Sequence, residues 1–317
     1  MISGVGSERI GSMWPGYREL TGFTLLALAV MWWRWGGTVE DSQAYFDTAR
    51  YLKGELPFGA LRAPFPYRIG VPGLVALFPF DVRPTFATLN WLFVTASACL
   101  LAWTIATVFS QRRAGIAAGL MVLLSFSTFW FAPYLLVDPG ALFARSLFVC
   151  GVLLARSTLA QGAALLATVI REENILLLGW LLVTRRVSLL RGTLLLALAG
   201  GWMVFVRWYL IPGLPSYTWT PGLPQLLHAL QDWKSLASIA ATAGVVVPLA
   251  IAGWKWAPEP VASLKSLVLL LLLPSLYAML CVRIDGRAVW GLYPVLIPFA
   301  CVALLRWRGR DGVSCMH

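Results

Sequence analysis

Charge is what this sequence lacks most. Only 12% of its residues are charged, and its 14 acids are outnumbered by 25 Lys and Arg. Soluble domains carry about 25% charged residues, so a water-soluble globule is excluded. Histidine is almost absent, and His228 and His317 are too few for a histidine metal cluster. The five cysteines, at 99, 150, 281, 301 and 315, have no CxxC spacing, and all but Cys315 lie in apolar runs. They read as buried thiols, and no metal site is expected from them. No internal repeat, low-complexity tract or soluble domain interrupts the chain.

What fills the sequence is apolar. The chain is 59% hydrophobic, with a mean hydropathy of +0.75. The apolar runs are long and continuous, whereas membrane-barrel strands alternate over about ten residues, so helices are expected. The 16 Trp suit a chain that crosses the membrane–water boundary many times. A formal net charge of +11 would point to nucleic acid in a soluble protein. Here it reads as topology, because cytoplasmic loops accumulate Lys and Arg, and no nucleic-acid partner is expected.

A crossing helix takes about 20 mostly apolar residues. The first candidate, residues 21–35, follows Arg9 and Arg18, but no small-x-small cleavage site comes after it, so it reads as a retained span. Further candidates are 84–109, 114–132, 139–157, 160–170, 174–184, 188–208, 236–253, 264–281 and 289–305. The segments 160–170 and 174–184 are short, and "REEN" (171–174) divides them. As one span they would hold three charges in lipid, which is costly. As two short helices they meet at a charged turn buried in protein or facing water, which membrane proteins tolerate. Charge decides between the two. With the N-terminus inside and ten helices, the inside segments hold 13 of the 25 basic residues but only 4 of the 14 acids. Merging the REEN pair would put "TRRVSLLR" (184–191) outside and destroy that bias.

The sequence therefore predicts an all-α, polytopic transmembrane helix bundle of about ten membrane helices, two of them short. Both termini are expected on the cytoplasmic side of the cell membrane. The first outer loop, 37–83, carries Glu40, Asp41, Asp47 and Glu55. Residues 41–54 read as an amphipathic helix lying on the membrane surface, with Tyr45, Ala49 and Leu52 on one face. The apolar piece 66–80 is too short for a comfortable span and reads as partly inserted or re-entrant. A second outer loop, 209–235, is rich in Pro and aromatics.

Polar residues collect at four outer places. Asp41 opens the first-loop helix, where an N-cap role competes with a functional one. Asp138 precedes Pro139 and is again either a cap or a functional acid, and Arg145 lies two turns further along the same face. Arg171, Glu172, Glu173 and Asn174 form the REEN turn, either a stabilising ion pair or a functional group of intramembrane charges. Arg283, Asp285 and Arg287 lie at an outer span end, where two guanidiniums suit phosphate oxygens but snorkelling is the common alternative. Arg68, in "PYRIG" after Tyr67, is a similar candidate. Arginines that hold a phosphate and a carboxylate that accepts a hydroxyl proton fit group transfer from a lipid-linked phosphate.

The order of these segments resembles the GT-C superfamily of polytopic glycosyltransferases. The likeness rests on a first span, the acidic pair Glu40–Asp41, "PYRIGVPGL", "LLVDPGALFARSL" and "ALLATVIREENILLL", and runs over about residues 20–205. It implies a membrane module at 1–205, with loop 37–83; residues 206–317, which match only in being hydrophobic, read as C-terminal membrane helices with outer loop 209–235. It implies transfer of a sugar from a polyprenyl-phosphate donor to a hydroxyl acceptor on a lipid, glycan or protein at the non-cytoplasmic face, with inversion. By the resemblance Asp41 is the general base and Glu40 its neighbour or substitute. It also makes Asp138 a second acid near acceptor or donor and puts Arg171 near the lipid-phosphate cavity, while Arg68, Tyr67, Arg145, Glu172, Arg283 and Arg287 are expected to bind substrate or phosphate from their residue types and placement. The chain departs from the pattern in having no DxD, so a divalent metal is not indicated and no cofactor is expected. It also has nothing like the WWDYG of oligosaccharyltransferases. The alternatives are a transporter or flippase for a lipid-linked saccharide, and a catalytically inactive subunit of the same fold.

Overall fold

The computed structural model describes residues 16–39, 41–214, 220–281 and 284–313, and for 308–313 the backbone alone. It is 77% helix, with no strand among the described residues. In chain order the helices begin with α1 (Tyr17–Trp32), α2 (Asp41–Leu52), α3 (Gly70–Ala76), α4 (Val82–Phe109), α5 (Arg112–Leu123) and α6 (Phe126–Trp130). They continue with α7 (Asp138–Leu153), α8 (Ser157–Ile170), α9 (Ile175–Val183), α10 (Leu189–Phe205), α11 (Leu223–Gln231) and α12 (Trp233–Ala243). The last are α13 (Val246–Trp254), α14 (Glu259–Ala262), α15 (Lys265–Cys281), α16 (Arg287–Trp290) and α17 (Tyr293–Val313).

Helix α4 is the hub. Its 28 residues rise about 42 Å at 1.5 Å each, and α1, α5 and α7 all pack against it. Small residues allow the close approaches. A Cβ on Gly253 of α13 would meet the Phe299 carbonyl of α17, and one on Gly151 of α7 would meet the Ala160 backbone of α8. Small residues at such contacts are how helices associate in lipid, where apolar burial drives little.

Three helical stretches are long and apolar enough to cross a membrane: Val82–Phe109, Leu189–Leu210 and Glu259–Cys281. A fourth is reached if α12 and α13, bent by 59° at their junction, are one span. Within the most apolar stretch of each, 61% of Val82–Phe109 is buried, but only 17% of Leu189–Leu210 and 22% of Glu259–Cys281. The first is a core helix. The other two turn leucines such as Leu194, Leu198, Leu269 and Leu273 outward.

Several expectations change in detail. The stretch 114–132 is not one helix, because Ser125 caps a new one, accepting from the Thr128 N–H, and separates α5 from α6. The stretch 236–253 breaks near Gly244, whose positive φ of 42° no helix interior adopts. Between 66 and 80 only the seven residues of α3 are α-helical, about 10 Å of rise, too short to cross. Helix α2 does form. Its face of Ser42, Tyr45, Thr48 and Ala49 is buried against α3 and the turn Phe65–Tyr67, so the face expected to meet the membrane surface meets protein instead. The REEN segment is a 3₁₀ turn, Glu172–Asn174, between two separate helices.

The helix ends sort into two groups. At one end Arg112 pairs with Glu19, Ser157 reaches the Arg186 carbonyl, and Arg306 lies over Trp256. At the other, Gly36 and Gly37 bond to Pro133 and Leu135, and there α2, the REEN turn and α16 meet.

Candidate functional site

That second end holds nearly every polar residue singled out in the sequence. Asp41 is the first residue of α2, and its Oδ2 lies 3.2 Å from Nη1 of Arg287. Arg287 starts the short α16, where Asp285 accepts both its backbone N–H, at 2.9 Å, and its side-chain Nε, at 3.0 Å. Burial would pull the Arg287 guanidinium down, but Asp285, Asp138 and Asp41 hold it above the ordinary arginine value. Asp41, from the distant α2, and the neighbouring Asp285 thus share one arginine.

Asp138 is the first residue of α7, whose N-cap is Val137 with no side-chain cap bond. Its carboxylate is used elsewhere, on Nη1 of Arg171 at 2.5 Å. Arg171 also pairs through Nε with Glu173, at 2.6 Å. Glu173 in turn lies 3.5 Å from Nη2 of Arg145. Arg145 is fixed from behind: its Nε donates to Asn174 at 2.6 Å and its Nη1 to the Gly291 carbonyl at 2.8 Å. Gly291 has no Cβ for a reason, since one would collide with the Arg145 guanidinium. Asn174 completes the turn by donating to the Ala167 carbonyl at 2.9 Å.

Arg68 makes a second, forked pair. Its Nε and Nη2 donate to the two oxygens of Glu172 at 3.0 and 3.2 Å, while its Nη1 donates to the Tyr45 hydroxyl at 2.8 Å. Forked arginine–carboxylate pairs are the geometrically specific kind. Burial would raise both glutamates of the turn, but the guanidiniums dominate. Arg68 holds Glu172 below its ordinary value, and Arg171, Arg68 and Arg145 hold Glu173 down to about 2.

Together these make an ionic layer of three ion-pair groups, with four arginines (68, 145, 171, 287) and five carboxylates (41, 138, 172, 173, 285), a formal charge of −1. It has a closed floor and an open rim. Side-chain exposure is 8% at Asp138 and 10% at Arg145, but 33% at Asp41 and 31% at Glu172. Beside the rim a shallow groove is lined by Tyr67, Thr168, Glu172, Trp202, Met203 and Arg207.

Of the residues expected at a site, Asp41, Asp138, Arg68, Arg145, Arg171, Glu172 and Arg287 fall in this layer, and Tyr67 lies in the adjoining groove. Glu40 and Arg283 lie outside the described residues. Among the described residues no group of three or more His, Cys, Asp or Glu is placed to hold a metal ion. The layer also contains Tyr45, Gly291 and Asp285, which sequence reasoning left in a helix face, unremarked, or beside Arg287 without a role. Arg207 went unnoticed, although an arginine closing a long apolar run next to "WY" signals a membrane boundary. No protein-family model matches the chain, and no curated protein matches it.

Proposed function

We propose that the chain is a membrane glycosyltransferase of the GT-C kind, with about ten membrane helices and its ionic layer on the non-cytoplasmic side. The observation that carries this reading is the pairing of Asp41, at the open rim, with Arg287, in a layer that also pairs the buried Asp138 with Arg171. Buried charges kept at such desolvation cost are poorly explained by stability alone.

In the reaction, an acceptor hydroxyl oxygen attacks the anomeric carbon of a polyprenyl-phosphate sugar from the face opposite the phosphate. The bond between that carbon and the phosphate oxygen breaks, so configuration inverts. Asp41 receives the hydroxyl proton. The departing polyprenyl phosphate gains negative charge, which Arg287 and Arg171 stabilise. For this, each arginine turns from its carboxylate toward the phosphate, and the turn of Arg287 also frees Asp41 to act as base.

The ion pairs themselves favour a second reading. Every carboxylate in the layer already has an arginine partner, as an inactive assembly subunit would require. The test is product formation by the purified protein with radiolabelled polyprenyl-phosphate hexoses and pentoses and a mixed acceptor panel. Transfer that disappears in Asp41→Asn supports the transferase. Absence of transfer across the panel supports the subunit, and lipid translocation without bond formation supports a transporter.

A further inference from the structure

Helix α12 carries three hydroxyl residues, Ser235, Ser238 and Thr242, spaced so that they share one face. Away from them, Trp233 and Leu236 turn outward. Asp232 caps the start of this helix, accepting from the N–H groups of Lys234 at 3.1 Å and Ser235 at 3.4 Å. Gly244, with a φ of 42°, ends it, and α13 leaves at a bend of 59°.

The hydroxyl face is where α16 is seated. Ser238 Oγ accepts the Gly286 N–H at 3.0 Å. Thr242 Oγ1 bonds to Ser127 of α6 at 2.8 Å, and the Tyr293 hydroxyl donates to the Thr242 carbonyl at 2.6 Å. Position 286 has no room for a side chain, since a Cβ there would meet Thr242 Oγ1 and the Ser238 carbonyl. Gly286 directly precedes Arg287, the arginine that pairs with Asp41. Helix α16 is only four residues long, too short to hold itself by its own hydrogen bonds. Its placement comes from its partners: Ser238 before its first residue and, just past its last, Arg145 on the Gly291 carbonyl at 2.8 Å.

We infer that Ser238 is a positioning residue for Arg287. Its bond to the Gly286 N–H sets where α16 begins, and so keeps the Arg287 fork within 3.2 Å of Asp41 on the distant α2. Asp285 cannot set that position, because it lies on the same short segment and travels with Arg287. The use of this position in sugar transfer rests on the transferase reading; the positioning itself does not.

The test is a double-mutant cycle on the full-length protein in detergent, with unfolding followed in denaturant. Asp41→Asn, Arg287→Gln and the double variant are made in the wild-type chain and again in Ser238→Ala. In the wild type the two sites should be coupled by about fivefold in the unfolding equilibrium constant, the scale of a partly exposed ion pair. In Ser238→Ala the coupling should vanish, and Ser238→Thr, which keeps the hydroxyl, should retain it. If Ser238→Ala cannot be purified, Ser238→Cys, whose thiol is a weak acceptor, carries the same test. A serine that only stabilises the bundle would weaken every member of the cycle equally and leave the coupling intact. That result overturns the proposal, as does a wild type without coupling. So does an equal loss in Thr193→Ala, which removes an exposed hydroxyl of α10. With a polyprenyl-phosphate sugar, Ser238→Ala should lower kcat about tenfold and leave KM within about twofold, because Arg287 acts on charge that develops in the transition state. An unchanged kcat overturns the part of Ser238 in transfer. Absence of transfer by the wild type overturns the transferase reading, and the cycle still decides the positioning.

Discussion

Cations lie over aromatic rings at both ends of the bundle, Arg34 over Trp130 and Arg287 over Phe131 at the end that holds the ionic layer, but the buried ion pairs gather at that end alone among the described residues. At the end where α1 begins and α17 runs out, cations lie over indoles: Arg156 over Trp103, Arg186 over Trp180, Lys265 over Trp254 and Arg306 over Trp256. A cation over a Trp face needs no buried anion and tolerates water. The one close carboxylate pair there among the described residues, Arg112 with Glu19, has its arginine 65% exposed. At the other end four arginines and five carboxylates interlock, with Asp138 and Arg145 almost closed off from solvent. Such a layer costs desolvation on both signs, and apolar residues of similar volume would often hold a fold as well. The difference separates cations that anchor a bundle from charges kept where stability alone would not ask for them.

The largest test of that contrast is Arg171→Ala. It leaves Asp138 and Glu173 without their nearest guanidinium, and unpairing a buried charge costs about 3–5 kcal/mol. Denaturation of the purified protein in detergent reads that loss.

Acid should act on the same end. Glu173 is held down to about 2 from an ordinary 4.5, so its stabilising contribution is complete above about pH 4.5 and is lost as pH falls toward 2. The thermal midpoint should decline through that window, and Glu173→Gln should flatten the decline. An unchanged slope in Glu173→Gln would remove the glutamate from the account.

At the opposite end Arg306→Ala should cost about 0.5–2 kcal/mol, the worth of a cation–π contact. Arg112→Ala should cost about 0–1 kcal/mol, as exposed ion pairs do. Losses at Arg306 or Arg112 as large as that at Arg171 would erase the contrast.

Much of this was legible in the sequence. The charged break at REEN, the helix starting at Asp41 and the helix starting at Asp138 follow from local patterns of apolar runs, Pro139 and acids. So does the suspicion that Arg145 seeks an anion, since an arginine two turns into an apolar helix has few other options. Partner choice was not legible. Arg287 and Asp41 are far apart in the chain, and nothing local tells Asp41 to pair with Arg287 rather than cap its helix. Tyr45 read as part of an apolar face, and only the fold turns its hydroxyl to Arg68. The break between α5 and α6 was hidden because Ser125, Ser127 and Thr128 are small polar residues that an apolar span tolerates, and only the cap bond to the Thr128 N–H marks the start of α6.

The central claim is that the layer around Asp41 performs chemistry beyond holding the bundle together. It is tested most directly by measuring turnover and thermal midpoint on the same preparations of wild type and Asp41→Asn. The account predicts sugar transfer from a polyprenyl-phosphate donor by wild type. In Asp41→Asn transfer should vanish while the midpoint moves little, because Asp41 is a third exposed and Arg287 keeps Asp285. Near-normal transfer by a folded Asp41→Asn would contradict it.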